Sequence, residues 1–381
     1  MRIIDFSFTD ALNKINIEKI EFGKTNLLVG VSGAGKTTIM NAFGTMKSIA
    51  SGKSSPGDKW TVRFISIDKK DISWSGEFSS ETDYDEESKS VLINEEILLD
   101  GNILYSKSNG VSFLNGTKLP AIDKFKSIIH SLRDDDSLRD IYNSLQAMTF
   151  ISSNGRSVLD ERMIIYFNDV TEKALSKANK DNKILSFDQV NALFPSLDIR
   201  HKLFFCHKYD KQRFDDLSFL FKTIFSNVKE IKPTTRRAPS QNGSASNNRR
   251  GVSISLVMED DSVVSQEMIS SGMFKSMMIM AYIYLGVGNN VLFIDEIENG
   301  LGVNCLPDII AELQSADIQT IISTHHPRII NEITPKDWRI VTRNGGLISA
   351  NKATEIMEST SAHDSFIKLI NSKQYRSSGS R

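Results

Sequence analysis

Cysteine is nearly missing from this sequence, with Cys206 and Cys305 the two thiols in 381 residues. Neither sits in a CxxC pair, so a disulfide framework is excluded and a reducing cytoplasm is the expected setting. No stretch nears the roughly eighteen uninterrupted apolar residues of a bilayer-spanning helix, so no membrane partner is expected. The opening residues, MRIIDFSFTD, lack the basic start, long apolar run and small-residue cleavage site of a secretory signal. An excess of one charge is missing as well. Lys+Arg at 46 against Asp+Glu at 47 leaves a net −1, which argues against a histone-like nucleic-acid binder but leaves room for a local basic patch. No internal repeat stands out, and no heptad pattern is sustained enough for a long coiled coil. What is there, 40% hydrophobic and 24% charged, describes a globular chain with room for two or three packing units.

The patterning predicts strands over Arg2–Phe8, Ile15–Phe22 and Thr25–Val29, then a glycine-rich turn and a helix from Lys36 through Phe43 toward Ile49. Residues 51–58 (SGKSSPGD) break the pattern. From Trp60 to Phe113 apolar and polar residues alternate between turn signals, which reads as antiparallel strands. Glu77 to Asp100 is strongly acidic, with Lys89 the one opposing charge, and reads as a solvated face. A helical region follows from about Ile122 to Val228. Its clearest piece is the apolar stripe Phe214, Leu217, Leu220, Phe221, Ile224, Phe225 and Val228 at the 3.6-residue period. Residues 232–250 (KPTTRRAPSQNGSASNNRR) hold five basic residues and no acidic one, and read as a mobile loop. Arg236, Arg237, Arg249 and Arg250 give that loop a possible hold on nucleic-acid phosphates, with an incidental solvated connector as the alternative. Strands at Val252–Val257, Val291–Ile294 and Ile318–Ser323 then alternate with helices at Phe274–Leu285 and Leu306–Leu313, a rhythm that implies parallel strands. A strand pair near Asp337–Arg343 and a helix over Ser361–Ser372 are expected at the end.

Three stretches carry chemistry. Gly30-Val31-Ser32-Gly33-Ala34-Gly35-Lys36-Thr37 fits G-x-x-x-x-G-K-[ST] between a strand and a helix, with Thr38 following. The glycines let successive N–H groups curl toward phosphate oxygens, and the helix N-terminus adds the positive end of its dipole. Lys36 can then reach the β- and γ-phosphates of ATP, and the Thr37 hydroxyl can ligate Mg²⁺. Val291-Leu292-Phe293-Ile294-Asp295-Glu296 is a buried strand that delivers two carboxylates to a sheet edge. Asp295 is placed to hold Mg²⁺ through water, and Glu296 to orient or deprotonate an attacking water. Ile269-Ser270-Ser271-Gly272-Met273 directly precedes a helix, where Ser270 suits an N-cap and Gly272 leaves the backbone open to an anion.

The order of these stretches resembles the ABC ATPase superfamily: a phosphate loop, then ISSGM where that family has its signature loop, then VLFIDE. Glu298-Asn299-Gly300-Leu301 resembles the family's dimer-interface loop, and Ile321-Ile322-Ser323-Thr324-His325 its switch-histidine strand. The resemblance implies an α/β P-loop ATPase head with a mixed sheet, carrying an inserted β and helical subdomain. On this reading residues 1–50 and 251–381 form the head, 51–120 a β-rich part, 121–231 a helical insertion, and 232–250 a flexible basic loop. It also implies a head-to-tail homodimer, or higher oligomer, sandwiching two ATP molecules. Lys36, Thr37, Asp295, Glu296 and His325 would act on one nucleotide in cis, while Ser270 and Gly272 complete the partner copy's site. Met273 departs from the glutamine or glutamate that transporters and SMC proteins have there. Gln146 is the candidate for the family's glutamine loop, and His326, beside Pro327, reads as local structure.

Between Lys36 and Asp295 lies far more chain than a nucleotide-binding fold needs, without a long coiled coil. The pattern is most like the compact SMC-related ATPases of antiphage defence, of the Septu, PARIS and OLD-family kinds. The 56 residues beyond His325 leave no room for the Toprim domain of an OLD nuclease. The expectation is therefore a defence ATPase, of slow turnover if need be, that acts as sensor or scaffold for a separate nuclease-like effector. A RecF-like repair ATPase that binds duplex DNA is the first alternative, and a transporter's ATPase subunit the second.

Overall fold

The computed structural model describes residues 1–83, 89–151, 164–167, 169–180, 186–194, 197–237, 250–286, 291–302 and 304–356. In chain order the elements are β1 (Arg2–Asp10), β2 (Ile15–Glu21), β3 (Thr25–Val29) and α1 (Lys36–Ala50). A run of strands follows: β4 (Asp58–Ile65), β5 (Asp71–Asp83), β6 (Lys89–Leu99), β7 (Asn102–Ser108), β8 (Val111–Leu114) and β9 (Thr117–Lys118). Next come α2 (Ile128–Ser131), α3 (Arg139–Gln146), β10 (Thr149–Ile151), β11 (Ile165–Tyr166) and four helices: α4 (Asp169–Lys180), α5 (Phe187–Leu193), α6 (Ile199–Tyr209) and α7 (Lys211–Ile224). The chain continues through β12 (Val228–Arg237), β13 (Arg250–Met258), β14 (Val263–Val264), α8 (Ser271–Leu285), β15 (Val291–Ile294), α9 (Leu306–Ser315) and β16 (Gln319–Thr324). It ends with α10 (Pro327–Glu332), β17 (Trp338–Asn344), β18 (Leu347–Lys352) and α11 (Ala353–Ile356). Among the described residues no helix is long and apolar enough to cross a membrane.

Two compact units result. The first comprises Met1–Ser153, Gly288–Ile297 and Asp317–Arg381; the second comprises Asn154–Val287 and Glu298–Ala316. The first unit is built on one mixed sheet, ordered β10-β15-β16-β3-β17-β18-β2-β1-β4-β5-β6-β7-β8-β9. Strands β10, β15, β16, β3 and β17 run parallel, so their carboxyl ends gather at one edge. Strands β4 to β9 pair antiparallel in sequence order, as the alternation of polar and apolar residues predicts. Helix α1 buries Ile39, Met40, Phe43, Met46 and Ala50 at helical spacing. The Phe43 ring lies 4.0 Å from Phe6 and 4.9 Å from Phe293. Such ring pairs add about 0.5–1.5 kcal/mol each beyond area burial, and here they fix the helix that opens the phosphate loop.

The second unit pairs β12 and β11 antiparallel with β13, with β14 also on β13, and packs α8 against α6, α7 and α9. The expected stripe is present in α7, where Phe214, Leu217 and Phe221 are buried. The helix ends at Ile224, so Phe225 and Val228 leave it, and Val228 opens a strand instead.

Two expectations are corrected. Residues 232–237 are strand, not loop: β12 carries Arg236 and Arg237 opposite Gly251 and Arg250 of β13. Residues 238–249, with Arg249, lie outside the described residues, as does the expected helix over 361–372. The acidic stretch 77–100 is also not wholly a solvated face. Glu95 is buried in β6, accepting hydrogen bonds from Trp74 Nε1 (3.0 Å), the Ile128 amide (2.9 Å) and the Ser127 hydroxyl. Burial pushes its carboxyl above the usual range, against the pull of those donors.

Candidate functional site

The phosphate loop is shaped by where its glycines must fit. Gly33 and Gly35 have φ of 84° and 102°, the left-handed region that favours glycine. At Gly30 the reason is different. A Cβ there would stand 2.5 Å from the Val341 carbonyl oxygen on β17, so only a bare backbone fits. Helix α1 then starts at Lys36 with no side-chain cap and no acidic residue in its first turn. That is the arrangement in which helix amides and dipole favour an anion. Lys36 is buried, and its ammonium donates to the carbonyls of Gly30 (2.7 Å) and Val31 (3.1 Å), which holds it across the loop. Ser32 and Gly33 are exposed at the rim. Ala34 is buried and its amide donates to Val31 O at 3.1 Å, so it forms the floor of the loop. Thr38 lies half-buried in the first turn of α1.

The carboxylates arrive on β15, all four of whose residues are buried between β10 and β16. Past its end, the Thr37 hydroxyl donates to Asp295 Oδ2 at 2.9 Å and the Ser323 hydroxyl to Asp295 Oδ1 at 2.5 Å. Ser323 Oγ also accepts from the Glu296 amide at 2.8 Å. On either side, the Asp295 amide donates to Ile151 O (2.8 Å) and the Ile297 amide to Ser323 O (3.2 Å). Glu296 itself has φ of 47°. A left-handed non-glycine residue costs about 1–2 kcal/mol, and these bonds from β10 and β16 hold it there. Strain of this kind, pinned from both sides, marks a residue whose direction matters.

The Thr37 hydroxyl and Asp295 carboxylate fit a magnesium site. They are hard oxygen donors, brought together from a helix start and a strand end, and a cation that keeps several waters needs few protein ligands. His325 follows β16 directly and is exposed. His326 is structural, as the sequence suggested: its Nδ1 accepts from the Arg328 amide (3.3 Å) and caps α10.

Ser270 and Gly272 lie in the second unit. Ser270 is exposed and N-caps α8, accepting from the Met273 amide at 3.3 Å. Behind it, a Cβ on Gly272 would meet Gly302 N at 3.1 Å and Gly300 O at 3.4 Å. Buried Lys275 donates to Asn299 O, and the Cys305 thiol to Gly302 O. The ISSGM turn and the loop 298–302 are therefore interlocked. Gln146 does not join the phosphate loop. Its amide donates to Ser51 Oγ (2.9 Å) and Lys47 O, at the opposite end of the 15-residue α1, roughly 20 Å from Lys36 at 1.5 Å per residue.

Sequence reasoning assigned no role to Ser323, which ties Asp295 to Glu296. The available signal was a serine and a threonine directly after the apolar pair Ile321-Ile322, at the end of a strand that leads into His325. Replacing Ser323 with Ala should slow ATP turnover by about 10- to 100-fold, the worth of a buried bond to a charged group. Nucleotide affinity, read by titration with a fluorescent ATP analogue, should stay within about threefold, because the phosphate loop is untouched.

A family described as "AAA domain, putative AbiEii toxin, Type IV TA system" matches residues 25–331. No curated protein matches the sequence. Among solved structures, the SmcHead bound to the C-winged helix domain of ScpA shares 10% identity over 92% of this chain and 97% of that one, with a TM-score of 0.48. The SMC head domain from Thermotoga maritima shares 11% identity over 92% and 99%, TM-score 0.42. The Smc head domain with an extended coiled coil, bound to the C-terminal domain of ScpA derived from Pyrococcus furiosus, shares 13% over 94% and 98%, TM-score 0.41.

Proposed function

The chain belongs to the AAA-domain family that matches residues 25–331, and on that premise we propose an ATPase that closes in pairs around ATP to control a separate effector in antiphage defence. The observation that carries this reading is the linked set Thr37–Asp295–Ser323–Glu296 beside an uncapped helix N-terminus. Lys36 and the amides of the loop bind the triphosphate; Thr37 and Asp295 would hold a Mg²⁺ ion, which would supply charge neutralisation to the phosphates. Glu296 orients a water and takes its proton as the water oxygen bonds to the γ-phosphorus and the bond to the ADP oxygen breaks, giving ADP and phosphate. His325, at the end of the neighbouring strand, contacts the same γ-phosphate. Turnover in such a site can be slow, because the chemistry waits for closure.

Closure is assigned to a second copy. The exposed Ser270 turn heads a 15-residue helix with no acid in its first turn, so it offers amides and a hydroxyl to an anion, and we assign that anion to the nucleotide of the partner copy. A toxin of a type IV TA system, as the family is described, supports a chain working within a multi-component system. The nuclease-like effector is proposed from the sequence's resemblance to compact defence ATPases, not from the family description.

Mixing two inactive variants tests the arrangement. Lys36→Ala and Ser270→Arg should each abolish turnover alone. Mixed in equal amounts, they should recover about a quarter of wild-type turnover, because half of the random dimers hold one intact composite pocket out of two. No recovery on mixing would place Ser270 and Lys36 on the same nucleotide and end the paired-copy reading. Purification from the native host with no co-purifying protein would count against the effector.

A further inference from the structure

The arginine-rich segment found in the sequence is not used by the nucleotide site, and the structure gives part of it a neighbour. Helix α4 presents Lys173, Lys177 and Lys180 at i, i+4 and i+7, one face of the helix. With Glu172 and Ser176 they line a groove of about 330 Å³. Glu172 reaches out of that groove to Arg250 Nε at 2.8 Å, and Arg250 pairs across the ladder with Arg237. The helix face and the ends of β12 and β13 are thus one continuous surface within the second unit.

Its charge is uneven. Glu172 neutralises Arg250, and Glu267 lies close enough to Arg236 to feel its charge. Lys173, Lys177, Lys180 and Arg237 are exposed and make no ion pair among the described residues. Four exposed cations with no ion pair among the described residues stand out in a chain whose net charge is −1.

We propose that this surface binds the phosphodiester backbone of nucleic acid. Lysine is depleted at the cores of protein interfaces, and a peripheral membrane site would set apolar anchors among its cations, whereas the described residues beside these lysines on the groove are Glu172 and Ser176. The spacing suits phosphates instead. Lys173 to Lys180 covers roughly 10 Å of helix axis at 1.5 Å per residue, about three steps of a strand rising 3.4 Å per nucleotide. Contacts of this kind neutralise phosphates and read no bases, so binding is expected to be sequence-independent and strongly salt-dependent. The inference does not depend on the nucleotide site.

The test uses the full chain with two fluorescent probes, a duplex DNA and a single-stranded RNA of about 30 nucleotides, read by anisotropy from about 50 to about 200 mM salt. The variant is Lys173→Ser, Lys177→Ser and Lys180→Ser together, all at exposed positions. Wild type should bind one or both probes, and the DNA and RNA arms say which backbone is preferred. The variant should bind at least about tenfold more weakly, with the logarithmic salt slope shallower by about two to three. Nucleotide affinity and thermal midpoint should match wild type. Absence of binding to both probes at low salt, an unchanged slope in the variant, or binding of wild type to anionic phospholipid vesicles but to neither probe overturns the proposal.

Discussion

Glu296→Gln should bind ATP as wild type does and hydrolyse it about 10²- to 10⁴-fold more slowly, the range that a positioned general base supplies. The substitution keeps shape, hydrogen-bonding length and the left-handed backbone of the residue, with φ of 47°. It removes the carboxylate to which we assign the proton of the attacking water. Because the phosphate loop, Lys36 and Asp295 stay intact, the triphosphate should persist. Under the paired-copy reading the variant with ATP and Mg²⁺ then accumulates at twice the monomer mass, as light scattering after gel filtration would show. Glu296→Gln turning over within about threefold of wild type would take the base assignment away from Glu296. The backbone strain at this position would then need another account.

Gly30→Ala should be nearly as damaging for a different reason. The added methyl would sit 2.5 Å from the Val341 carbonyl oxygen and 3.1 Å from Ala34 Cβ. Neither can turn aside, since one is strand backbone and the other the floor of the loop. Overpacking of this kind costs about 1–3 kcal/mol, and the loop can relieve it by moving off β17 and taking its amides with it. Nucleotide affinity should fall by about 10- to 100-fold, because a displaced loop loses one or two charge-assisted bonds of about 1.5 kcal/mol or more each. The melting midpoint should fall by about 2–4 °C per kcal/mol. Gly44→Ala in α1 is the matched control. A Cβ there has nothing within 4 Å, and alanine suits a helix interior better than glycine by up to about 1 kcal/mol, so it should bind ATP normally and melt no lower.

Residues that act through local chain geometry were legible early. The phosphate loop sits between β3 and α1 as its spacing predicts, and Ser270 caps α8 as its type predicts. Residues that act through distant partners were not. Ser323 and Glu95 look in sequence like an ordinary strand serine and one more acid in a run of them. They become a link between Asp295 and Glu296, and a buried tie among Trp74, Ser127 and Ile128, through pairing decided elsewhere in the chain. Gln146 misled for the same reason: its residue type suited the family's loop, while its place in α3 puts it at the wrong end of α1.

The sequence by itself determined the chemistry on offer and the local turns that present it, because hydrophobic period, glycine placement and capping act over a few residues. Only the tertiary structure decided which groups meet. The hydroxyl of Thr37 reaches Asp295 across 258 positions of chain, and Gly30 is kept bare by Val341. Such meetings depend on strand order and register in a sheet closed by long-range burial, and no short stretch of residues encodes them alone.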